Sequence, residues 1–206
     1  MTNPHSRTDE ITTRATELAE DRGVSGVTTA TLARRMGFTE AALYRYFPGK
    51  GAILAAVLQG QAEYVFSSMV VELTPVAGIA ADTVASQIAS HVTRFEGHQG
   101  ILLELLLTAA AGRDAALREA ANAFMQEYFQ RVSTYFGQLQ ELSALAKGHP
   151  PQELSRLWVC QLLGGFVRCR ISREPWHPKE QPGFESFMAM IRGSAANVND
   201  LASTAP

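Results

Sequence analysis

Apolar residues recur every three or four positions along nearly the whole chain, the period of a helix with one buried face. Between 8 and 22, Ile11, Ala15, Leu18 and Ala19 keep that spacing, with Asp9 and Glu10 expected in the first turn and Gly23 as the stop. From Gly51 an apolar helix proceeds through Ile53, Leu54, Val57, Leu58, Val65, Phe66 and Met69 to a break at Pro75. Further helices are predicted at 82–96, 99–111, 113–146, 151–173 and 183–202. The third is clearest, with Leu117, Ala121, Phe124, Tyr128, Val132, Tyr135, Leu139 and Leu142 in period. Pro150-Pro151 opens the fourth, and Pro175, Pro178 and Pro182 form the loop before the last. Period-two alternation and Asn-Gly or Asp-Gly hairpin turns do not occur. The predicted fold is all-α: three short helices, a connecting helix, then a five-helix body.

One segment departs from this regularity. Residues 28–50 read TTATLARRMGFTEAALYRYFPGK. Two short helices that cross need a small residue where they touch, here Ala33. They need a residue tolerant of positive φ at the turn, here Gly37, and an apolar residue to lock the second helix down, here Leu43. Thr28 or Thr29 can cap the first helix and Thr39 the second, expected over 40–46. This is a helix-turn-helix. From 31 to 50, Arg34, Arg35, Arg45 and Lys50 face one anion, Glu40. Cations, free amides at the helix start beside Lys50, and the Tyr44 and Tyr46 hydroxyls suit phosphate contact. Base reading falls to Thr39, Glu40, Ala41 and Arg45, since a carboxylate accepts from cytosine N4, a methyl meets thymine, and a guanidinium forks onto guanine.

With the helix before the turn, Thr28-Thr29, Leu32-Ala33, Gly37, Leu43-Tyr44, Phe47 and Lys50, the first 60 residues resemble the DNA-binding domain of the TetR family of transcriptional regulators. The resemblance implies a DNA-binding module at 1–50 and a ligand-binding and dimerisation body at 51–206. It implies a homodimer that binds double-stranded DNA and releases it when a small inducer fills the body. Thr28, Thr29, Arg34, Thr39, Glu40, Ala41, Tyr44, Arg45, Tyr46 and Lys50 are the expected DNA-binding residues. The chain departs from relatives at Ala30, where some carry a polar base reader, and at Gly51, where many carry an acid; Gly51 is expected to weaken only the helix start.

Composition narrows the picture. The 206 residues are 46% hydrophobic and 18% charged, enough apolar surface for a core. The net charge of −2 removes a global basic footprint, so any case for nucleic acid rests on local charge. Two cysteines, Cys160 and Cys169, fall on opposite faces of one helix and read as reduced and buried. The N-terminus lacks an apolar signal core, and no run approaches the roughly 20 apolar residues of a membrane span. The expectation is a cytoplasmic protein that does not engage membrane. GxSxG, HExxH, CxxC and GxxxxGK[ST] are all absent, so neither an enzyme, a cofactor nor a metal is expected.

In the body, Leu157, Trp158, Leu162, Phe166 and Val167, interrupted by Gly164-Gly165, and Phe184, Phe187, Met188, Ile191, Ala195 and Val198 form two apolar stripes. The resemblance implies a four-helix dimer interface; ordinary intrachain core is the competing reading. Phe95, His98, Leu102, Met125, Tyr128 and Trp158, with Arg94 and Glu104 as polar anchors, either line an inducer site or are plain core. His91 and His98 are assigned a surface or capping role, and Arg168, Arg170 and Arg173 a solvated one. A second functional reading is a nucleoid-occlusion or division-control protein whose body meets a protein partner, prompted by TEAALYRYFPGK and by residues 166–182.

Overall fold

The computed structural model describes residues 4–76, 78–93, 99–145, 147–174, 177 and 183–192. Among them the only regular elements are helices: α1 Pro4–Gly26, α2 Thr29–Met36, α3 Glu40–Leu43, α4 Lys50–Glu72, α5 Ala81–Thr93, α6 Gln99–Ala111, α7 Ala115–Glu141, α8 Pro151–Ser172 and α9 Phe184–Arg192. None is long and apolar enough to cross a membrane. The chain divides into two compact units, Met1–Ser68 with Arg94–Glu127, and Met69–Thr93 with Tyr128–Pro206.

In the first unit the apolar spacing read from the sequence becomes core. Ile11, Ala15, Leu18 and Ala19 of α1, Leu32 and Ala33 of α2, Ile53, Leu54, Val57 and Leu58 of α4, and Leu102 and Leu105 of α6 are all buried. α1 begins at Pro4, so Asp9 and Glu10 lie beyond its first turn, where Arg7 pairs with Glu10. Gly23 breaks the helix as expected of a glycine with positive φ (φ 73°, ψ 167°), and one more turn follows to Gly26.

In the second unit Val132, Tyr135, Phe136 and Leu139 of α7 are buried, as are Trp158 and Val159 of α8 and Phe184, Phe187, Met188 and Ile191 of α9. Aromatic rings knit these helices together. Trp158 lies 5.6 Å from Phe187 and 6.4 Å from Phe184, and Phe136 lies 6.1 Å from Phe187, centroid to centroid. α7 stops at Glu141, short of the predicted 146, with Ser143 at a φ of 58°, and Leu142 is exposed beyond the helix end. α8 ends where Arg173 takes a left-handed conformation.

Candidate nucleic-acid interface

The helix-turn-helix is held by local hydrogen bonds that the sequence announces. Thr28 is the N-cap of α2: its hydroxyl accepts from the Thr31 N–H, and the Thr31 hydroxyl accepts from the Thr28 N–H, each at 3.0 Å. This reciprocal capping box satisfies two amides that the helix start leaves over. At the other end Gly37 adopts φ 68°, ψ 27°, and its N–H and that of Phe38 return to the carbonyls of Arg34 and Ala33. No atom lies near enough to exclude a side chain at Gly37, so the requirement for glycine there is conformational. Thr39 caps α3 by accepting from the Ala42 N–H at 3.2 Å.

Below the turn, Ala33, Leu43 and Phe47 are buried, with Leu43 only 1% exposed. Burying one leucine contributes about 1.5–3 kcal/mol, enough to fix so short a helix against its neighbour. The regular helix α3 ends at Leu43, and residues 44–46 continue as turn, with Tyr46 and Phe47 N–H both donating to the Leu43 carbonyl. The predicted 40–46 helix is therefore shorter than its periodicity suggests, because the chain must reverse before Pro48.

This anchoring turns one surface outward. Thr39, Glu40, Ala41, Tyr44, Arg45 and Tyr46 are all exposed, Tyr44 by 52%. Arg34 is exposed beside them, and Thr28, Thr29 and Lys50 are half-buried at the helix starts. Thr28 spends its hydroxyl on the cap. Thr29 donates its hydroxyl proton to Glu40 Oε2 at 2.6 Å, linking the first turns of α2 and α3. The local charge differs from the simple tally in one respect. Arg35 turns back to α1, 2.7 Å from Asp21 and 3.8 Å from Glu17, so its charge is partly spent within the fold. Among the described residues Arg34, Arg45 and Lys50 make no ion pair, and they remain available to phosphate.

Two contacts tie this module to α6 and α7, and neither is legible from local sequence. Glu104 of α6 accepts from the Val24 N–H at 3.0 Å, just past the Gly23 break. Glu104 thus serves the backbone of α1, a role the local sequence does not show. Asp114 caps α7 by accepting from the Leu117 N–H and lies against Gly51, where a Cβ would come within 2.0 Å of the carboxylate. Gly51 does more than loosen a helix start: it makes room for an acid carried by a distant element.

The remaining candidates divide. Leu102 is buried and Met125 half-buried in the first unit; Tyr128 and Trp158 are buried in the second. Phe95, His98 and Arg94 lie outside the described residues. His91 is 1% exposed, against the surface role expected for it. Its Nδ1 lies 3.3 Å from Glu72 Oε2, its ring stacks on Tyr128, and burial lowers its pKa to about 4. A neutral ring makes the Glu72 contact a hydrogen bond rather than an ion pair. Burial likewise pushes the Tyr128 hydroxyl above its ordinary range.

Of the interface candidates, Phe184, Phe187 and Ile191 are 2%, 6% and 1% exposed within a single chain, so their packing is intrachain core. α8 presents a different face: Leu157 and Ile171 are 43% and 79% exposed, Gly164 is exposed between them at intervals of seven, and Gly165 is half-buried. Cys160 is exposed on that helix, contrary to its expected burial, while Cys169 is buried. Arg168 is exposed and pairs with Glu174 at 2.6 Å, holding that carboxylate below its ordinary range. Among the described residues no cluster of three His, Cys, Asp or Glu side chains could hold a metal ion.

A capped helix pair, a glycine turn and an exposed cationic and aromatic surface define a helix-turn-helix DNA-binding regulator. Comparison with known proteins gives the family. Residues 11–57 match the model of bacterial regulatory proteins of the tetR family. A nucleoid occlusion factor, SlmA, of Marinobacter nauticus is 33% identical over 176 residues, covering 84% of this chain and 86% of the relative. Among solved structures, a TetR-family transcriptional regulator from Agrobacterium tumefaciens superposes with a TM-score of 0.71 at 13% identity, covering 92% of this chain and all of that one. SmeT, the repressor of the Stenotrophomonas maltophilia multidrug efflux pump SmeDEF, does so with 0.69 at 16% identity, covering 91% of each. The chain belongs to the TetR family, and its fold and family are those of transcriptional regulators.

Proposed function

We propose that the chain acts as a homodimer that reads a roughly palindromic operator, represses the adjoining genes, and leaves DNA when a small inducer occupies the body. The observation that carries this reading is the outward block from Thr39 to Tyr46, pinned from beneath by Leu43 and Phe47. Arg34, Tyr44, Tyr46 and Lys50 grip phosphates; Thr39, Glu40, Ala41 and Arg45 face base edges. Thr28 and Thr29 shape the entry of α2. A two-fold dimer sets the two reading elements about 34–36 Å apart, one turn of duplex. The exposed Leu157, Gly164 and Ile171 on α8 support a second copy there, since apolar residues at seven-residue intervals with a small residue between suit close helix pairing. Tyr128 and Trp158, both buried in the second unit, remain candidates for shaping the inducer site. Such a regulator works in the cytoplasm.

One observation favours a second reading. The relative at 33% identity is a nucleoid occlusion factor, and the match spans most of both chains. On that reading the body meets a protein of the division apparatus in place of a metabolite. Mapping occupancy across the chromosome separates the two. A handful of promoter sites supports the repressor; sites scattered over much of the chromosome, with division placed wrongly in a deletion strain, support nucleoid occlusion. A protein that enriches no duplex from a random pool overturns both.

A further inference from the structure

Among the described residues the Thr29–Glu40 hydrogen bond is the only polar side-chain link between α2 and α3, and it sits on the exposed surface. Its geometry is informative. One carboxylate oxygen of Glu40 is held at 2.6 Å by a hydroxyl, while among the described residues Oε1 accepts no hydrogen bond from the protein. Glu40 also makes no ion pair with Arg34, Arg45 or Lys50, although these cations share its segment. A neutral hydroxyl orients the carboxylate without neutralising it, so the free oxygen keeps its full strength as an acceptor.

An uncompensated anion on a surface that approaches phosphate costs affinity through repulsion. It repays that cost only against a donor. In the major groove the donors are the exocyclic amino groups of cytosine and adenine; guanine and thymine present acceptors. Adenine sets its N7 acceptor beside the amino group, which repels a carboxylate, whereas cytosine offers N4 alone. We infer that Thr29 and Glu40 form a composite reader of one cytosine in each half-site, Glu40 contacting the base and Thr29 acting as the positioning residue that aims it. The inference rests on the DNA-binding reading above. It adds the base that is read and the rejection of guanine and thymine at that position.

Selection of duplexes from a random pool by the full-length protein tests it, with wild type, Glu40→Gln, Thr29→Val and Thr29→Ser run in parallel. Wild type should enrich a cytosine at one position per half-site, and Glu40→Gln should change that position alone to adenine, which a carboxamide matches through N6 and N7. Thr29→Val, which keeps the branched shape and loses the donor, should reduce discrimination for cytosine by about tenfold or more, within the usual range for one oriented base contact. Thr29→Ser should restore it, and Thr29→Val should add nothing in the Glu40→Gln background. The salt dependence of binding should be the same for Thr29→Val as for wild type, because no phosphate contact is removed. An enriched site whose sequence is indifferent to Glu40→Gln, or that lacks the cytosine, overturns the inference and leaves the DNA-binding reading standing. Failure of wild type to enrich any duplex overturns both.

Discussion

Glu104 and Val24 are 80 residues apart in the chain and joined by one hydrogen bond, carboxylate to backbone N–H, at 3.0 Å. The positive φ of Gly23 breaks the helix immediately before Val24, and α6 supplies the acceptor there. This contact anchors the helix that packs against α2, and therefore bears on how the reading surface is presented.

Removing the acceptor should be costly and replacing it should not. Glu104→Ala leaves the part-buried Val24 amide without its partner and should destabilise the chain by about 1–3 kcal/mol, whereas Glu104→Gln keeps a carbonyl oxygen and should recover most of that. Urea unfolding of the two variants checks this. Equal losses would mean that charge, rather than the hydrogen bond, is what matters at this site.

Gly51 and Asp114 make a steric pair. Gly51→Ala should destabilise, since its methyl meets the Asp114 carboxylate, and Asp114→Ala alone should cost about 1 kcal/mol through loss of the α7 cap. Combined, the second change should relieve the first, so the double variant is more stable than the sum of the single losses. Strict additivity in thermal melts would show that the side chains move apart freely.

Phe187 and Ile171 should respond in opposite ways. Phe187 is buried between Phe136 and Trp158, so Phe187→Asp should unfold the chain rather than yield folded monomers. Ile171→Asp, on the exposed face of α8, should leave melting of the isolated chain nearly unchanged and weaken self-association. Sedimentation together with circular dichroism distinguishes the outcomes. A folded Phe187→Asp monomer, or an undiminished Ile171→Asp dimer, would reverse the assignment of these helices.

His91 should make the fold sensitive to acid. Its pKa is about 4 in the folded chain and near 6.5 when unfolded, so the unfolded state binds the extra proton between these values. Stability is then unaffected by this group above pH 6.5 and falls as pH drops toward 4, by up to about 3 kcal/mol. Stability measured at intervals between pH 7 and pH 4 should decline less steeply in His91→Asn, which retains a donor for Glu72. Parallel curves would place the acid sensitivity elsewhere.

Lys50 and Tyr44 should contribute affinity without selectivity. Lys50→Ala should lower the slope of log K against log salt by about 0.9, the value for one phosphate contact. Tyr44→Ala should weaken all duplexes alike. A loss confined to a single operator base for either variant would assign it to base reading instead.

The helix-turn-helix was legible because its determinants are local. Capping by Thr28 and Thr39, the positive φ of Gly37 and burial of Leu43 each depend on residues within a few positions, and all four appear as the residue types require. The short extent of α3 was less visible, since residues 44–46 share its periodicity while the backbone turns. His91 and Cys160 were misplaced for another reason. Periodicity identifies two faces of a helix but cannot say which neighbour covers either one.

From the order of residues alone came the all-helical architecture, the position of the turn and the block of exposed side chains that follows it, because capping, helix period and backbone strain act over one or two turns. Tertiary packing decided that Arg35 turns back to α1, that Glu104 serves α1 and Asp114 lies against Gly51, and that Phe184, Phe187 and Ile191 are core while Leu157 and Ile171 stay outside. Those outcomes join residues 14 to 80 positions apart or depend on which helix face is covered. Their free energy exists only once distant helices meet, so no window of sequence contains it.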